Sequence, residues 1–259
     1  MAKMAHNSSE SLHLMAEAMK RVFADRAKFM GDSDFVKVPI QGLLAKTYAE
    51  EVRKGIRAEK AGEKIPAGNP LPYESGGTSH LSVVDKDGNL VALTQTINYF
   101  FGSGVLVPGT GILLNDEMDD FVPKPGSLNS VEPKKRPISS MSPTLVLKDG
   151  KPYLSIGTPG ATRIISALPQ ILMNMIDYKM NIQEAIDAAR IHCMTGEIFM
   201  ESRIPKDVQQ ALINKGHKLS VRKDFDLYFG GAQGVMIDPK TGTLFGGADP
   251  RRDGFAIGY

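Results

Sequence analysis

Thr78 is the residue whose type and surroundings first suggest chemistry. It follows two glycines, Gly76 and Gly77, where a proline-rich stretch gives way to an alternating apolar sequence. Its hydroxyl is a potential nucleophile, and the glycines let the backbone bend close to it at little steric cost. Because a threonine after two glycines also occurs in ordinary turns, this stretch alone does not establish a catalytic residue.

Two further groups of polar residues have the chemistry to bind a small charged ligand. Asn115–Phe121 contains four carboxylates within five residues, which is typical of a solvated turn, a calcium loop or a pocket for an ammonium group. Calcium ranks last, because the ligand spacing of an EF-hand is absent. Ser139 and Ser140 form either a plain loop or a pair of hydroxyl donors for a carboxylate.

Composition excludes several classes of protein. The 259 residues include 31 basic and 29 acidic side chains, and this near-balance gives no electrostatic footprint for nucleic acid. The short basic cluster Lys134–Arg136 is typical of a solvated turn. A single cysteine, Cys193, excludes an internal disulfide. The five histidines lack the paired spacing of zinc ligands, so neither a metal nor another cofactor is predicted.

Membrane and nucleotide motifs are missing as well. No apolar run approaches the roughly 20 residues that span a bilayer, and the first residues lack the apolar stretch of a secretory signal. Gly157–Arg163 has neither the lysine of a phosphate-binding loop nor the third glycine of a dinucleotide fingerprint. We therefore predict no membrane span and no nucleotide cofactor.

The hydrophobic pattern predicts helices interspersed with β-hairpins, which together favour an α+β layered domain. Residues 61–73 contain three prolines and two glycines and form an exposed connector, of the kind at which chains are cut. The predicted helices span residues 8–30, 40–58, 161–177 with a kink at Pro169, 181–192 and 205–215. The predicted hairpins pair residues 79–85 with 90–98, 144–147 with 153–156, and 234–237 with 244–247.

The stretch from Thr78 to Asp85 reads Thr-x-His-x-Ser-Val-Val-Asp and resembles the processing site of the γ-glutamyltransferase (γ-glutamyltranspeptidase) family. Similar motifs follow in the family's order, so that essentially the whole chain is covered. In the part similar to the small subunit they are Thr96–Asn98, Gly111–Asn115, Met118–Phe121, Arg136–Thr144, Gly157–Gly160, Ala248–Arg252 and Gly258–Tyr259. In the part similar to the end of the large subunit they are Ala24–Arg26, Gly31–Phe35 and Tyr48.

The resemblance implies an αββα N-terminal-nucleophile hydrolase that is made as a precursor and cuts itself. The implied cut lies between Gly77 and Thr78 and divides the chain into residues 1–77, the tail of the large subunit with its connector, and 78–259, the small catalytic subunit. The expected substrate is a γ-glutamyl amide of the glutathione type, with water or an amino acid as the acceptor. Family members suggest a periplasmic or extracellular location.

Family match also assigns roles to individual residues. Thr78 would be the nucleophile, oriented by Thr96, and backbone N–H groups of the turn at Gly160 and Ala161 would hold the oxyanion. The family usually has two glycines at this turn, but a backbone donor survives the change to alanine. For the substrate, Asn98, Glu117 and Asp120 would bind the ammonium group, and Ser139 and Ser140 would bind the carboxylate.

Two departures from the family limit these expectations. Family members pair the substrate carboxylate with an arginine of the large subunit, far upstream of any residue present here, so the αββα sandwich is expected to be incomplete. We also expect the apolar faces of residues 8–30 and 161–177 to lack part of their cover. Residues 122–134 are too few to form the lid that some members have, which predicts an open pocket.

Three alternatives stay open at the level of sequence. A glutaryl-type acylase or a poly-γ-glutamate depolymerase would share the nucleophile and differ in the pocket. An uncleaved, inactive remnant that folds only with an upstream partner is the alternative that is not an enzyme. Retention of Asn98, Asp120, Ser139 and Ser140 favours a glutamyl headgroup, because a glutaryl group has no ammonium to bind.

Overall fold

The computed structural model describes residues 1–62, 65 and 78–258. Most of the predicted connector, together with Gly77 of the predicted cleavage bond, lies outside the described residues. The helices are α1 (Ser9–Phe29), α2 (Ile40–Leu44), α3 (Lys46–Lys54), α4 (Ile164–Ile176), α5 (Ile182–Asp187) and α6 (Lys206–Asn214). The strands are β1 (Ser79–Val84), β2 (Leu90–Gln95), β3 (Thr144–Lys148), β4 (Lys151–Gly157), β5 (Ile191–Cys193), β6 (Glu197–Glu201), β7 (Lys218–Arg222), β8 (Gln233–Ile237) and β9 (Leu244–Ala248).

One side of the molecule is built on the four-stranded antiparallel sheet β3-β4-β8-β9. Strand β4 alternates between its two faces, as a strand must. Leu154 and Ile156 point into a buried cluster with residues of α4 and α5, whereas the Ser155 hydroxyl points the other way and donates to the Val91 carbonyl at 2.7 Å. The α4–α5 layer and the β1–β2 hairpin therefore cover opposite faces of this sheet.

The β1–β2 hairpin forms the second β layer. Its inward face carries His80 and Ser82, and His80 packs so closely on Gly157 that a β-carbon there would lie 2.2 Å from the ring. Its outward face carries Leu81, Val83, Val91 and Leu93, which are 43–52% exposed. The described part of the chain thus forms helix, sheet and sheet layers, and the outer face of the hairpin is apolar and exposed.

The other side of the molecule is a smaller unit that sequence analysis did not predict as a sheet. Strands β5, β6 and β7 form a three-stranded mixed sheet. Helices α1 and α6 pack on it through Leu12, Ala16 and Leu212, all fully buried. These strands are three to five residues long and lack a turn of the Asn-Gly type between them, so no local pattern marked them.

The two helical faces that were expected to lack part of their cover are largely buried, although Val22 of α1 stays 49% exposed. Leu12 and Phe23 of α1 are buried against the β5–β7 unit, and Ile171 of α4 is buried on the four-stranded sheet. A helix's apolar stripe is satisfied by any apolar surface the topology brings to it, and the unpredicted sheet supplies that surface for α1. The large apolar face that stays exposed belongs to the β1–β2 hairpin.

The other element boundaries follow the predictions closely, with two exceptions. The predicted helix 40–58 is broken, because Ala45 adopts an extended conformation between α2 and α3. The predicted helix 181–192 ends at Asp187, and Ile191 already belongs to β5. The three predicted hairpins form as β1–β2, β3–β4 and β8–β9. No helix among residues 1–62 and 78–258 is both long and apolar enough to cross a membrane.

Candidate active site

The β1–β2 hairpin places Thr78 opposite Thr96. Ser79 pairs with Gln95 in the antiparallel register, so the residues just beyond this pair face each other across the open end. The two hydroxyl oxygens lie 3.0 Å apart, and the Thr96 oxygen also accepts the backbone N–H of Asn98 at 2.9 Å. Thr78 is buried at 7% exposure. The geometry joins the predicted nucleophile to its predicted orienting residue.

The acidic group approaches Thr78 from the loop that follows the hairpin. Glu117 and Asp120 open and close a single 3₁₀ turn, Glu117–Asp120. Burial raises the pKa of the Glu117 carboxyl, and the neighbouring Asp116 carboxylate adds to this rise. Asn98 has a left-handed backbone at φ 69°, and its side-chain nitrogen is buried with no hydrogen-bond partner among the described residues. This amide is therefore available to a ligand.

A buried asparagine that sequence analysis missed ties the acidic turn to the serine pair. Asn129 donates from Nδ2 to the Asp120 carbonyl at 2.6 Å and accepts the Ile138 N–H at 3.1 Å. The Ser139–Ser140 loop is also anchored from its other side, because Asp32 accepts the backbone N–H of Arg136 at 2.9 Å and binds its guanidinium. The contact between Asp32 and Arg136 joins residues 104 positions apart, and a contact over that distance leaves no local signal in a sequence.

Helix α1 contributes a cation to the same place. Arg26 donates from Nη2 to the Ser140 hydroxyl at 3.2 Å. It continues the stripe of Met19 and Phe23 at three- and four-residue steps. A charged residue at the end of an apolar stripe was the available signal, but sequence analysis quoted Arg26 only as part of a motif.

The turn that follows β4 has an unusual backbone conformation at Gly160 and Ala161, the two residues predicted to donate backbone N–H groups. Gly160 has φ 133° and Ala161 has φ 48°, a left-handed conformation that is uncommon for alanine. Gly160 fits against Gly230, whose Cα would lie 3.2 Å from an added β-carbon. Ala161 then opens the short 3₁₀ turn Ala161–Arg163. Ala161 lines the cavity described next, whereas Gly160 does not.

One cavity of about 440 Å³ brings these groups together. Its walls come from α1, the β1–β2 hairpin, the acidic turn, the serine loop and the start of α4. Groups that suit a cation and groups that suit an anion therefore line the same cavity, and Thr78 is part of its wall. The sequence-predicted residues that line it are Thr78, Thr96, Asn98, Glu117, Asp120, Ser139, Ser140 and Ala161, and Arg26 and Asn129 join them.

A histidine pair lies outside this cavity. His13 Nδ1 and His217 Nε2 are 2.7 Å apart, and the other His13 nitrogen lies 2.7 Å from the Arg57 carbonyl. With Glu17 they place three potential metal ligands within 4.8 Å of one another, a grouping that the sequence spacing did not suggest. The Glu17 carboxylate already binds Lys20 and Arg21. The cluster is thus explained by its internal hydrogen bonds and ion pairs.

Comparisons with known proteins indicate the family of this chain. The γ-glutamyltranspeptidase family model matches residues 1–259. The chain is 43% identical to the glutathione hydrolase proenzyme of Escherichia coli K12, over all of this chain and 46% of that protein. It is 42% identical to the acylase ACY 1 proenzyme of Pseudomonas sp. SE83, over 96% of this chain and 44% of that protein.

Solved structures show the same relationship at the level of the fold. Cephalosporin acylase from Bacillus halodurans superposes with a TM-score of 0.86 at 34% identity, over 99% of this chain and 47% of that one. The chain spans about half the length of the curated relatives it matches. The two β layers with their helices are therefore those of the N-terminal-nucleophile hydrolases. From its sequence, its fold and these matches, the chain belongs to the γ-glutamyltranspeptidase family.

Proposed function

We propose that this chain carries the nucleophile and the headgroup pocket of a γ-glutamyl hydrolase or transferase, matured by self-cleavage between Gly77 and Thr78. One observation carries the proposal. The Thr78 hydroxyl, hydrogen-bonded to Thr96 at 3.0 Å, lines the same cavity as carboxylates suited to an ammonium and hydroxyls suited to a carboxylate. A free amino acid headgroup needs both kinds of partner.

Self-cleavage would use the same hydroxyl as catalysis. Thr78 Oγ1 attacks the carbonyl carbon of Gly77, which lies outside the described residues, and the peptide C–N bond breaks as an ester forms. Water then hydrolyses the ester, releasing residues 1–77 with a carboxylate and residues 78–259 with a free α-amino group. An α-amino group has a reference pKa of about 8. It can therefore act near neutral pH as the base for its own side chain.

In turnover, the α-amino group of Thr78 takes the hydroxyl proton while Oγ1 attacks the γ-carbonyl carbon of the donor. Backbone N–H groups at Gly160 and Ala161 stabilise the oxyanion, a contribution of about 10²–10³ in rate for each donor. The amine of the donor leaves with the proton, and a γ-glutamyl ester stays on Thr78. Attack by water completes hydrolysis, and attack by an amino acid completes transfer.

The Thr96 hydroxyl would direct proton transfer. One of its lone pairs accepts the Asn98 N–H at 2.9 Å, which orients the hydroxyl toward Thr78. When Thr96 donates its proton to Thr78 Oγ1, the Thr78 proton is free to point at the α-amino group. Thr96 thus sets the direction of transfer without being consumed.

Headgroup recognition divides between the two ends of the cavity. Glu117, Asp120 and the side-chain oxygen of Asn98 accept hydrogen bonds from the substrate ammonium, and the raised pKa of Glu117 would fall again beside a cation. Ser139 and Ser140 bind the carboxylate, with Arg26 as the cation at that end. A glutaryl-type acylase or a poly-γ-glutamate depolymerase is the competing assignment. The ammonium-binding groups favour a donor with a free α-amino group.

We further propose that an upstream large-subunit segment covers the outer face of the β1–β2 hairpin. That face presents Leu81, Val83, Val91 and Leu93 in two cross-strand pairs, and each side chain is 43–52% exposed. Contiguous apolar surface of this kind drives association. Supplying such a segment in trans is expected to raise both solubility and activity.

Mass spectrometry and a paired-donor assay test the proposal. The purified chain is expected to yield fragments ending at Gly77 and beginning at Thr78, whereas Thr78→Ala stays a single chain and Thr78→Ser cuts more slowly. γ-Glutamyl-p-nitroanilide is expected to be hydrolysed faster than glutaryl-p-nitroanilide, with the upstream segment present. Cleavage that persists in Thr78→Ala would overturn the mechanism, and a preference for the glutaryl donor would move the assignment to the acylases.

A further inference from the structure

Thr78 is also contacted by the segment that follows β9. Arg252, which follows β9, lies with Nη1 3.5 Å from the Thr78 carbonyl oxygen. Both residues line a second, larger cavity of about 1270 Å³, whose walls include β1 and residues 252–258. Thr78 therefore lines both cavities, and the Arg252 guanidinium lies beside its backbone carbonyl.

A buried ion network fixes the segment that carries Arg252. Arg251 binds Glu201 of β6 through Nε at 2.6 Å and Asp249 through Nη1 at 3.0 Å. Asp249 also binds Arg190 at 2.8 Å, and all these groups are essentially inaccessible to solvent. Charged hydrogen bonds in a water-free setting hold their geometry tightly.

The Arg252 side chain itself is confined. Its aliphatic stem lies on Gly231, where an added β-carbon would be 2.7 Å from Arg252 Cδ. Only a glycine leaves room for the stem at this point. The contact with Gly231 supports the position of the guanidinium beside Thr78.

The positive charge of Arg252 has no ion-pair partner in the part of the chain that the structure describes. Among residues 1–62 and 78–258 no carboxylate forms an ion pair with it, and the nearby Asp249 already binds Arg190 and Arg251. Its Nε is buried without a hydrogen-bond partner among the same residues. Burial lowers the pKa of Arg252 and the nearby Arg163 lowers it further, whereas the Asp249 carboxylate opposes them. A guanidinium nevertheless stays protonated in proteins, so its field acts on its neighbours.

We propose that Arg252 is a positioning residue for the nucleophile: it holds the Thr78 carbonyl, and its charge keeps the freed α-amino group of Thr78 in the neutral form that accepts a proton. The inference rests on the proposed self-cleavage, since only the cut chain has that amino group. The carbonyl and the amino group belong to one residue. The guanidinium therefore lies a few ångströms from the base without blocking the substrate cavity.

The expected size of the effect follows from the effect of a like charge on a titrating group. A like charge within about 4–6 Å changes a pKa by roughly 1–3 units in favour of the neutral form. At pH 7 an amine with a pKa of about 8 is roughly one-tenth neutral, and one with a pKa of about 7 is half neutral. Arg252 would thus raise the amount of active base roughly fivefold at neutral pH.

The test measures the pKa of the Thr78 α-amino group directly. Self-cleaved protein is labelled with an amine-reactive reagent across pH 5–10, and labelling of the peptide that begins at Thr78 is quantified by mass spectrometry. Wild type and Arg252→Lys, which keeps the charge, are expected to titrate about one unit below Arg252→Gln. Arg53→Gln, an exposed change on α3, is the charge-matched control and is expected to match wild type.

A second measurement uses the protein in urea as the reference. Relative to its value in urea, the amino group is expected to titrate about one unit lower in folded wild type than in folded Arg252→Gln, because Glu117 and Asp120, which line the substrate cavity with Thr78, raise its pKa equally in both proteins. Equal values in wild type and Arg252→Gln would overturn this inference and leave the proposed function intact. Failure to find any chain that begins at Thr78 would overturn both.

Discussion

Arg26 on α1 donates a hydrogen bond of 3.2 Å to the hydroxyl of Ser140, a residue 114 positions later in the chain. The contact places a cation beside the two serines proposed to bind a substrate carboxylate. Family resemblance had led us to expect this cation from an upstream segment, and the structure shows that the chain also supplies one of its own. Its contribution can be measured.

Replacing Arg26 with lysine keeps the charge but loses the planar fork that contacts Ser140. We expect KM for a γ-glutamyl donor to rise about tenfold with a smaller change in kcat, because a charged hydrogen bond contributes about 1.5–3 kcal/mol. Steady-state kinetics of γ-glutamyl-p-nitroanilide hydrolysis would show this. Arg53→Lys on the exposed face of α3 is the control, and equal KM values for the two variants would remove Arg26 from the pocket.

Asp120→Asn removes one negative charge and keeps the shape of the side chain. We expect kcat/KM for the γ-glutamyl donor to fall about 10- to 100-fold, while the glutaryl donor, which lacks the ammonium, changes little. Self-cleavage should persist, since the peptide at Gly77 carries no such headgroup. Asp119→Asn, an exposed neighbour that accepts a hydrogen bond from Tyr99, is the matched control. An equal loss on both donors would contradict the ammonium assignment.

Ala161→Gly should stabilise the protein. Ala161 has φ 48°, where a β-carbon is strained and glycine is not. We expect the free energy of unfolding to rise by about 0.5–1 kcal/mol, measured by urea denaturation. The control, Ala167→Gly in the buried face of α4, should lower it by about 1 kcal/mol or more. If Ala161→Gly is also destabilising, the turn is not strained.

The His13–His217 pair predicts a loss of stability in mild acid. Burial first, and then His13, Lys20 and Lys215, lower the pKa of His217 to about 4, with Glu17 opposing them. The unfolded chain has a His217 pKa near 6.5, so between pH 6.5 and 4 it binds a proton that the folded chain does not bind. The contribution of His217 to the free energy of unfolding is present in full above pH 6.5. It is lost as the pH drops from 6.5 to 4, by at most about 1.4 kcal/mol per pH unit for one proton.

His217→Gln should be less stable than wild type at pH 7, because the hydrogen bond to His13 is altered, but its stability should fall less steeply between pH 6.5 and 4. Urea denaturation at several pH values measures both slopes. Burial also lowers the pKa values of His80 and His192, to about 4 and about 3. The stability of the variant therefore still falls with decreasing pH, but less steeply than that of wild type. Parallel curves for the two proteins would show that His217 does not titrate as described.

The parts of the fold predicted from sequence are those set by neighbours along the chain. Alternating residues and turns that contain Asp and Gly marked the three hairpins, and the three- and four-residue spacing of Leu12, Met15 and Met19 marked α1. The short strands β5–β7 could not be predicted this way. They lack the turn residues that marked the hairpins, and they bury their apolar side chains against α1 and α6, which are distant in sequence.

The candidate site divides along the same line. Sequence determined which residue types are present and their order, including Thr78 after two glycines, Thr96 on the returning strand and the acidic cluster, because motif spacing is written in the chain. Only the tertiary structure decided that Arg26, Asn129 and Ser140 meet at one cavity, and that Arg252 lies behind Thr78. Those contacts join residues separated by up to 174 positions, and such separations are set by packing and burial rather than by any local pattern.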